Sequence, residues 1–171
     1  MDDLQLTNEV MKLDLFDGAD YGQIEKILAA AERRSLDAGA VLCDTETIDD
    51  VLYVFVDGRL RLESAEGMKI ADVTQVRVIG EMGVLTGQSR HSRVVVEAPS
   101  TVLALRRDDL QAIVNENPDL GQQILVNLCN LLYGRLHQAN LEIEAQRLSR
   151  QKLRERLSEV APGDPLVQQA D

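Results

Sequence analysis

Glu81 and Arg90 are the residues of this 171-residue chain whose types and surroundings most directly suggest chemistry. They lie in the segment Ile79-Gly80-Glu81-Met82-Gly83-Val84-Leu85-Thr86-Gly87-Gln88-Ser89-Arg90-His91-Ser92-Arg93-Val94. Gly80 and Gly83 flank a short turn whose backbone N–H groups can point outward, and small residues there permit an anion to approach closely. Glu81 is suited to accept hydrogen bonds from a sugar hydroxyl. Nine residues later, Arg90 offers a planar, permanently charged fork to phosphate oxygens. A cyclic phosphodiester with one negative charge and a free ribose 2′-OH complements both. A lone Glu or Arg in a loop is ordinarily a solvated charge; the surrounding pattern sets this pair apart.

Other chemistries find no support. The chain has no Gly-x-Ser-x-Gly elbow, no Gly-x-x-x-x-Gly-Lys phosphate loop and no suggestive Cys–His pair. Gly80-x-x-Gly83 is not a dinucleotide fingerprint, because no βαβ unit surrounds it. His91 and His137 are the only histidines and lie far apart, which argues against a metal site, so no cofactor is expected. His137 reads as an exposed or interface residue. The acidic cluster Asp44, Glu46, Asp49 and Asp50 reads as a solvated face, since the spacing and glycine of a calcium loop are missing.

Three zones of different periodicity must position the pair. In residues 1–34, Leu15, Phe16, Ile24, Ile27, Leu28 and Ala31 recur at helical spacing, with Asp20 as a cap. Residues 35–116 hold short β-branched runs: Ala40–Cys43, Val51–Val56, Leu60–Glu63, Ile70–Val73, Val76–Ile79, Val94–Glu97 and Thr101–Leu105. Asp57-Gly58 reads as a hairpin turn and Glu66-Gly67 as another. Strands this close together, with no helix between them, predict an antiparallel roll. A short helix capped by Asp108 or Asp109 is expected through Val114. A long helix over 117–160 follows, with Asn117 as cap and Pro118 in its first turn. Its thin apolar stripe suits pairing with a second copy. The predicted class is α+β: an antiparallel, jelly-roll-like β-roll with N-terminal helices and a long C-terminal helix. Residues 161–171 are expected to be a flexible tail.

The formal net charge is −11, with 22 acidic and 12 basic residues up to Glu116 and 7 and 6 beyond it. An anion site in the first part must therefore supply its own positive potential. Broad binding to nucleic acid or an anionic membrane is disfavoured. Cys43 and Cys129 each sit in an apolar run and are expected as buried free thiols in a reducing compartment. With no leader-like start and no long apolar stretch, a cytoplasmic protein is expected.

At Gly80-Glu81-Met82-Gly83-Val84-Leu85 … Arg90-His91-Ser92, the segment resembles the phosphate-binding cassette of the cyclic-nucleotide-binding domain family. That family includes the catabolite activator protein, the regulatory subunits of protein kinase A and cyclic-nucleotide-gated channels. Asp50-Val51-Leu52-Tyr53 through Gly58-Arg59-Leu60, the helical start from Phe16 to Leu28, and Asn117-Pro118-Asp119 are similar to further parts of its pattern. The resemblance covers about residues 13–140. It implies that Glu81 holds the ribose 2′-OH and Arg90 the exocyclic phosphate oxygens. Amides of Met82, Gly83 and His91 would complete the phosphate shell beside Gly80 and Ser92. Ile70 would pack on the base, with Leu132, Tyr133, Arg135, Leu136 and His137 as lid positions. Val76 stands where the family has a turn glycine, Ser92 where it has Ala, and Arg93 where it has Thr or Ser. Arg93 either adds a second positive charge near the phosphate or points to solvent.

The function expected from the resemblance is a non-enzymatic sensor of a cyclic nucleotide, cyclic AMP in the first place. It would form a homodimer through its C-terminal helix and signal to a protein effector. Only about eleven residues follow Val160, too few for a helix-turn-helix reader, so direct DNA binding is not expected. The alternative is a degenerate roll acting as a ligand-free dimeric scaffold.

Overall fold

The computed structural model describes residues 2–160, so the expected tail lies outside the described residues. The chain divides into two compact units, one running to Leu128 and one beginning at Cys129.

The first unit opens with α1 (Asp3–Met11), a 3-10 turn (Asp14–Phe16) and α2 (Tyr21–Ala30). Both α-helices start at capping boxes. Asp2 accepts from the Gln5 amide at 2.7 Å and Asp20 from the Gln23 amide at 2.8 Å, and each Gln side chain bonds back to the cap residue's own amide. The helical reading of 1–34 runs past the observed end. At Glu32 the chain becomes β1 (Glu32–Leu36), which pairs with the last strand from Glu32↔Ala104 to Leu36↔Ser100. Its residues are polar and mostly exposed, so a long-range ladder makes it a strand and no local apolar alternation announces it.

The remaining strands are β2 (Val41–Cys43), β3 (Val51–Glu63), β4 (Lys69–Val73), β5 (Arg77–Ile79) and β6 (Arg93–Arg106). Every pairing is antiparallel, in the order β1-β6-β3-β4, with β2 on β6 and β5 on β3. This is the antiparallel roll with N-terminal helices and a long C-terminal helix that the periodicity predicts.

One turn is corrected. Asp57-Gly58 does not reverse the chain: β3 is a single 13-residue strand, and the two runs expected over Val94–Leu105 are a single 14-residue β6. The two strands pair from Val51↔Arg106 to Glu63↔Arg93, with register shifts on either side of Asp57 and Arg59. Gly58 has φ 110°, and a Cβ there would meet the Pro99 carbonyl oxygen and Ser100 Cα at 2.6 Å. Ser100 Oγ accepts from the Arg59 amide at 3.0 Å and donates to the Ala98 carbonyl at 2.7 Å, closing the bulge. A bulge and a hairpin turn ask for the same positive φ, so Asp-Gly signals either. Glu66-Gly67 does make a hairpin: the Ser64 amide donates to Met68 O at 2.8 Å and the Gly67 amide to Ser64 O at 3.0 Å.

Val51–Val56 is buried on both faces. Val51, Tyr53 and Phe55 join Leu60, Val73, Ile79, Val94, Val96, Val102 and Ala104 inside the roll. Leu52, Val54 and Val56 alternate with them and are also buried, as are Phe16, Ile24, Ile27, Leu110, Leu120 and Ile124 on the helices. Double burial explains the unbroken apolar run in the sequence.

After β6 come α4 (Arg107–Glu116) and α5 (Pro118–Val160). Arg106 is the N-cap of α4, without a side-chain cap bond. Asp108 and Asp109, expected as caps, sit in its first turn, where the helix dipole favours carboxylates. Asn117 donates its side-chain amide back to Ile113 O at 3.0 Å and so closes α4. Pro118 then takes the first position of α5. Buried Asn127 donates to the Leu15 and Asp17 carbonyls at 3.1 and 2.8 Å, fastening α5 to the 3-10 turn. The 43 residues of α5 span about 65 Å at the usual helical rise. In the second unit Leu132, Leu136, Leu141, Ile143, Leu148, Leu153 and Leu157 are exposed. Cys43 is buried, but Cys129 is exposed, against the expectation for it; both are free. Among the described residues, no helix is long and apolar enough to cross a membrane.

Replacing Gly58 with Ala should destabilise the first unit by about 1–3 kcal/mol, the usual scale for a side chain forced into a disfavoured backbone region. Urea denaturation reads it as a lowered midpoint; an unchanged midpoint would contradict the bulge.

Candidate functional site

The segment between β5 and β6 holds α3 (Glu81–Thr86), with Gly80 (φ 84°) before it and Gly87 (φ 73°) after it. The expected open turn is therefore one and a half turns of helix. The Val84 amide donates to Gly80 O at 3.2 Å and the Gly87 amide to Gly83 O at 2.9 Å. The amides of Glu81, Met82 and Gly83 precede the first intrahelical bond, the position from which helix donors face outward. Glu81 is buried, only 6% exposed.

Arg90 is the centre of the segment. Its side chain is 3% exposed and forms an ion pair with Asp49 at 2.9 Å. Nη1 donates to Gly80 O at 2.6 Å, and Nη2 donates to Val51 O. Nε is buried and has no hydrogen-bond partner among the described residues. This geometry gives the glycines a second task. A Cβ on Gly80 would run into the Arg90 guanidinium, and one on Gly83 would come within 3.1 Å of Nη1. The backbone is bare at positions 80 and 83, so that a buried guanidinium can lie against it.

Asp49 is the site residue that the sequence reading missed. Expected as part of a solvated acidic face, it accepts from Arg90, from Tyr53 Oη at 3.3 Å and from the Val51 amide at 3.0 Å. A buried guanidinium requires a counter-charge, and the acidic run just before β3 was the available signal. The loop also pairs with the backbone of Arg90: the Arg90 amide donates to Thr47 O at 2.9 Å, and the Glu46 amide to Arg90 O at 3.2 Å. Glu46 pays a φ of 64° for this arrangement. Of the expected solvated face, Glu46 and Asp50 are exposed and Asp44 is half-buried.

The other named residues are placed as follows. His91 is exposed, and Ser92 is half-buried with its carbonyl 4.0 Å from the Cys43 thiol. Arg93 turns toward Asp44, with Nε 3.8 Å from the carboxylate. Ile70 is 57% exposed and is the extra residue between the pairs Leu62↔Ala71 and Glu63↔Lys69. Val76 precedes β5, and its φ is not positive, so the turn closes without the family's glycine. In the second unit Tyr133, Arg135, Leu136 and His137 are exposed, and Tyr133 stacks on His137 with ring centroids 6.1 Å apart. Among the described residues, no group of three or more His, Cys, Asp or Glu side chains could hold a metal ion.

A roll that closes a glycine-flanked helical turn over a buried arginine is the architecture of a small-ligand-binding module. Residues 33–117 match the family model of the cyclic nucleotide-binding domain, and the chain belongs to that family through this stretch. Glutaminase 1 of Bradyrhizobium diazoefficiens is 25% identical over 142 residues, 83% of this chain and 23% of that protein. The cyclic AMP receptor protein of Thermus thermophilus is 26% identical over 134 residues, 76% of this chain and 60% of that protein. The crystal structure of the Thermus thermophilus catabolite activator protein superposes with a TM-score of 0.69 at 27% identity, covering 85% of this chain and 67% of that one. The chain thus spans less than two thirds of these curated relatives.

Beside the site, burial pushes the Cys43 thiol up to about 11, with the Arg90 charge opposing it. Burial, reinforced by the Asp49 charge, pushes the Tyr53 phenol up to about 12. Both groups hold their protons in the folded state at pH values where the unfolded chain releases them. The stability they contribute is complete below pH 9, the ordinary thiol value, and is lost as pH rises through about 11 and then about 12. Denaturation midpoints followed upward from pH 8 should fall, and Cys43→Ala should remove the earlier part of that fall. A wild-type midpoint flat to pH 12 would contradict this placement of the two groups.

Proposed function

We propose that the first unit binds a cyclic nucleotide, cyclic AMP in the first place, and that the chain is a non-catalytic sensor. The observation that carries this reading is the buried Arg90 guanidinium, which lies against Gly80 and Gly83 of the α3 turn and whose Nε has no hydrogen-bond partner among the described residues. An anion taken there gains a charge-assisted bond from Nε and dipolar donors from α3. Glu81, at the first position of α3, is the acceptor for a ribose 2′-OH. A neutral sugar offers no charge to Arg90, and a phosphate without a sugar offers no donor to Glu81. A phosphate ester of ribose answers both, and the family match over residues 33–117 supports the cyclic form. The name of the Thermus receptor protein supports cyclic AMP as the nucleotide. His91, Ser92 and Arg93 extend the phosphate side, and Ile70 offers a surface for the base.

The second unit supplies the proposed output. Cys129, Leu136, Ile143, Arg150 and Leu157 recur every seven residues, as do Leu132, Ala139, Gln146 and Leu153. The two series alternate at three and four, the spacing of a coiled-coil seam. In a parallel pair, Glu142 of one copy faces Arg147 of the other across that seam. A homodimer through α5, in the cytoplasm, acting on a protein effector and not on DNA, completes the proposal.

A specific observation favours the second reading, a ligand-free dimeric scaffold. Asp49, Gly80 O and Val51 O already occupy three donor positions of Arg90, so a phosphate must bind beside this set or displace part of it.

Isothermal titration with cyclic AMP and cyclic GMP separates the two readings. Under the sensor reading, Arg90→Ala weakens binding by about 2–5 kcal/mol, the scale of a buried charge losing its partner, or roughly thirtyfold to several thousandfold. Equal binding by wild type and variant removes Arg90 from the site. No heat with either nucleotide, and no rise in melting temperature, leaves the scaffold. Sedimentation equilibrium at micromolar concentrations should give a dimer, weakened by Ile143→Glu; a monomer at tens of micromolar refutes the pairing of α5.

A further inference from the structure

The seam that α5 offers a second copy changes character along its length. Its first positions are apolar: Cys129, Leu132, Leu136, Ala139 and Ile143. Beyond Ile143 the same two series place Gln146 and Arg150 on the seam before they return to Leu153 and Leu157. The flanks change with it. Five of the ten residues from Arg147 to Arg156 are basic and one, Glu155, is acidic, in a chain whose formal net charge is −11. All ten are helical and exposed.

A basic run on an exposed helix is ordinarily a solvated face, but this one is centred on a seam. With Arg150 at heptad position a, Leu153 falls at d and Leu157 at the next a. Arg147 then falls at e and Arg156 at g, the positions that border the contact and choose the partner. In a parallel homodimer Glu142 answers Arg147 of the other copy, but Arg150 meets Arg150 and Gln146 meets Gln146. Like charges facing each other at a core position oppose pairing. The nearby acids do not relieve them, because Glu144, Glu155 and Glu159 fall at b, f and c, away from the seam. Glu155 instead accepts from the Gln151 side chain at 3.0 Å. Negative charge facing Arg150 must come from another chain.

We infer that the arm of α5 from Gln146 to Leu157 is a docking surface for an acidic amphipathic helix of the effector protein, and not a continuation of the homodimer seam. Leu153 and Leu157 are the apolar anchors, and Arg150 selects a partner with Asp or Glu at the facing core position. The basic borders favour the same sign along that helix. A nucleic-acid backbone would use the charges but leave both leucines in water. The inference rests on the reading of α5 as a coiled-coil seam, and it adds the chemistry of the partner.

Fluorescence anisotropy with the full chain and two labelled synthetic peptides tests it. Both peptides carry residues 136–160; one is unchanged and the other has R147E, R150E, R154E and R156E. The acidic peptide should bind the wild type at least about tenfold more tightly than the unchanged one, and less tightly as salt is raised. Arg150→Glu in the full chain should cancel that preference. Equal binding of the two peptides, or no binding of either up to about 100 μM, overturns the inference. So does tighter binding of a labelled DNA duplex, or of vesicles containing phosphatidylserine, than of the acidic peptide. Arg150→Leu gives a second readout in sedimentation equilibrium: it should tighten the homodimer by at least about threefold while weakening the acidic peptide. A homodimer no tighter in that variant overturns the assignment of Arg150. If the wild type and Arg150→Leu are both monomers, the homodimer reading fails and the peptide comparison, made on the monomer, decides the docking surface.

Discussion

A guanidinium cannot be taken out of water without replacing what water gave it, and the cassette is organised around that requirement at Arg90. Its side chain is almost fully enclosed, yet it meets a carboxylate at 2.9 Å and two backbone carbonyls. Each of these partners constrains the sequence elsewhere. The Gly80 carbonyl is reachable because residues 80 and 83 have no side chains to block it. The Val51 carbonyl is available at the very start of β3. Asp49 is held in place by the Val51 amide and Tyr53, so it arrives as a pre-oriented acceptor. Remove the guanidinium and several features of the segment lose their purpose together.

The long β3–β6 ladder brings these pieces to one place. Because β3 is not broken at Gly58, its first residue, Val51, pairs with Arg106, the last residue of β6. That pairing sets the Asp49–Asp50 loop beside Arg107, and the β3–β5 pairing at Tyr53↔Ile79 sets the same end of β3 beside Gly80. Three stretches distant in the sequence, 49–51, 80–90 and 106–107, therefore meet at one end of the sheet. The bulge at Gly58 lets β3 and β6 bend together over the core and still keep one continuous ladder. A conventional hairpin at that position would have ended β3 after six residues and left β6 without its partner.

How much of this was legible in the sequence depends on whether the cause was local. Asp20 as a helix cap, Pro118 in the first turn of the long helix, and the apolar runs of β3 and β6 are local signals that appear in the elements where they are read, whereas Asn117, expected to cap α5, turns its side chain back to close α4. Glu81 and Arg90 stand out for their types and for the glycines around them, although the sequence suggests that the glycines admit an anion and the structure shows them making room for Arg90. β1 was not legible, since Glu32 to Leu36 carry no apolar alternation and become a strand only by pairing with a segment some seventy residues on. Asp49 is not legible as a site residue, because a carboxylate in an acidic run looks solvated until its partner, here Arg90, is known. Cys129 looked buried because its neighbours are apolar, but a helix distributes neighbours around its circumference, and Cys129 falls on the exposed side while Leu128 is buried.

The same reasoning bears on how a site of this kind could signal. Ligand binding shifts an equilibrium only through contacts that differ between the two states. In the cassette the ligand's natural competitor is already visible, because Asp49 and two carbonyls hold the group that a phosphate would seek. Under the proposed reading, a phosphate that displaces part of this set exchanges one set of bonds to Arg90 for another and releases the loop and helix that supplied the first. β3 and β6 are too deeply buried to follow. The elements left to respond are α3, which is short and faces a groove, and α4, whose first residue is bonded to α3. From α4 the chain passes at Asn117–Pro118 directly into α5, whose early turns are fastened by Asn127 to the 3-10 turn. The sequence of attachments, from buried charge to short helix to long helix, gives the proposed signal a physical route through the first unit that does not require the sheet to deform.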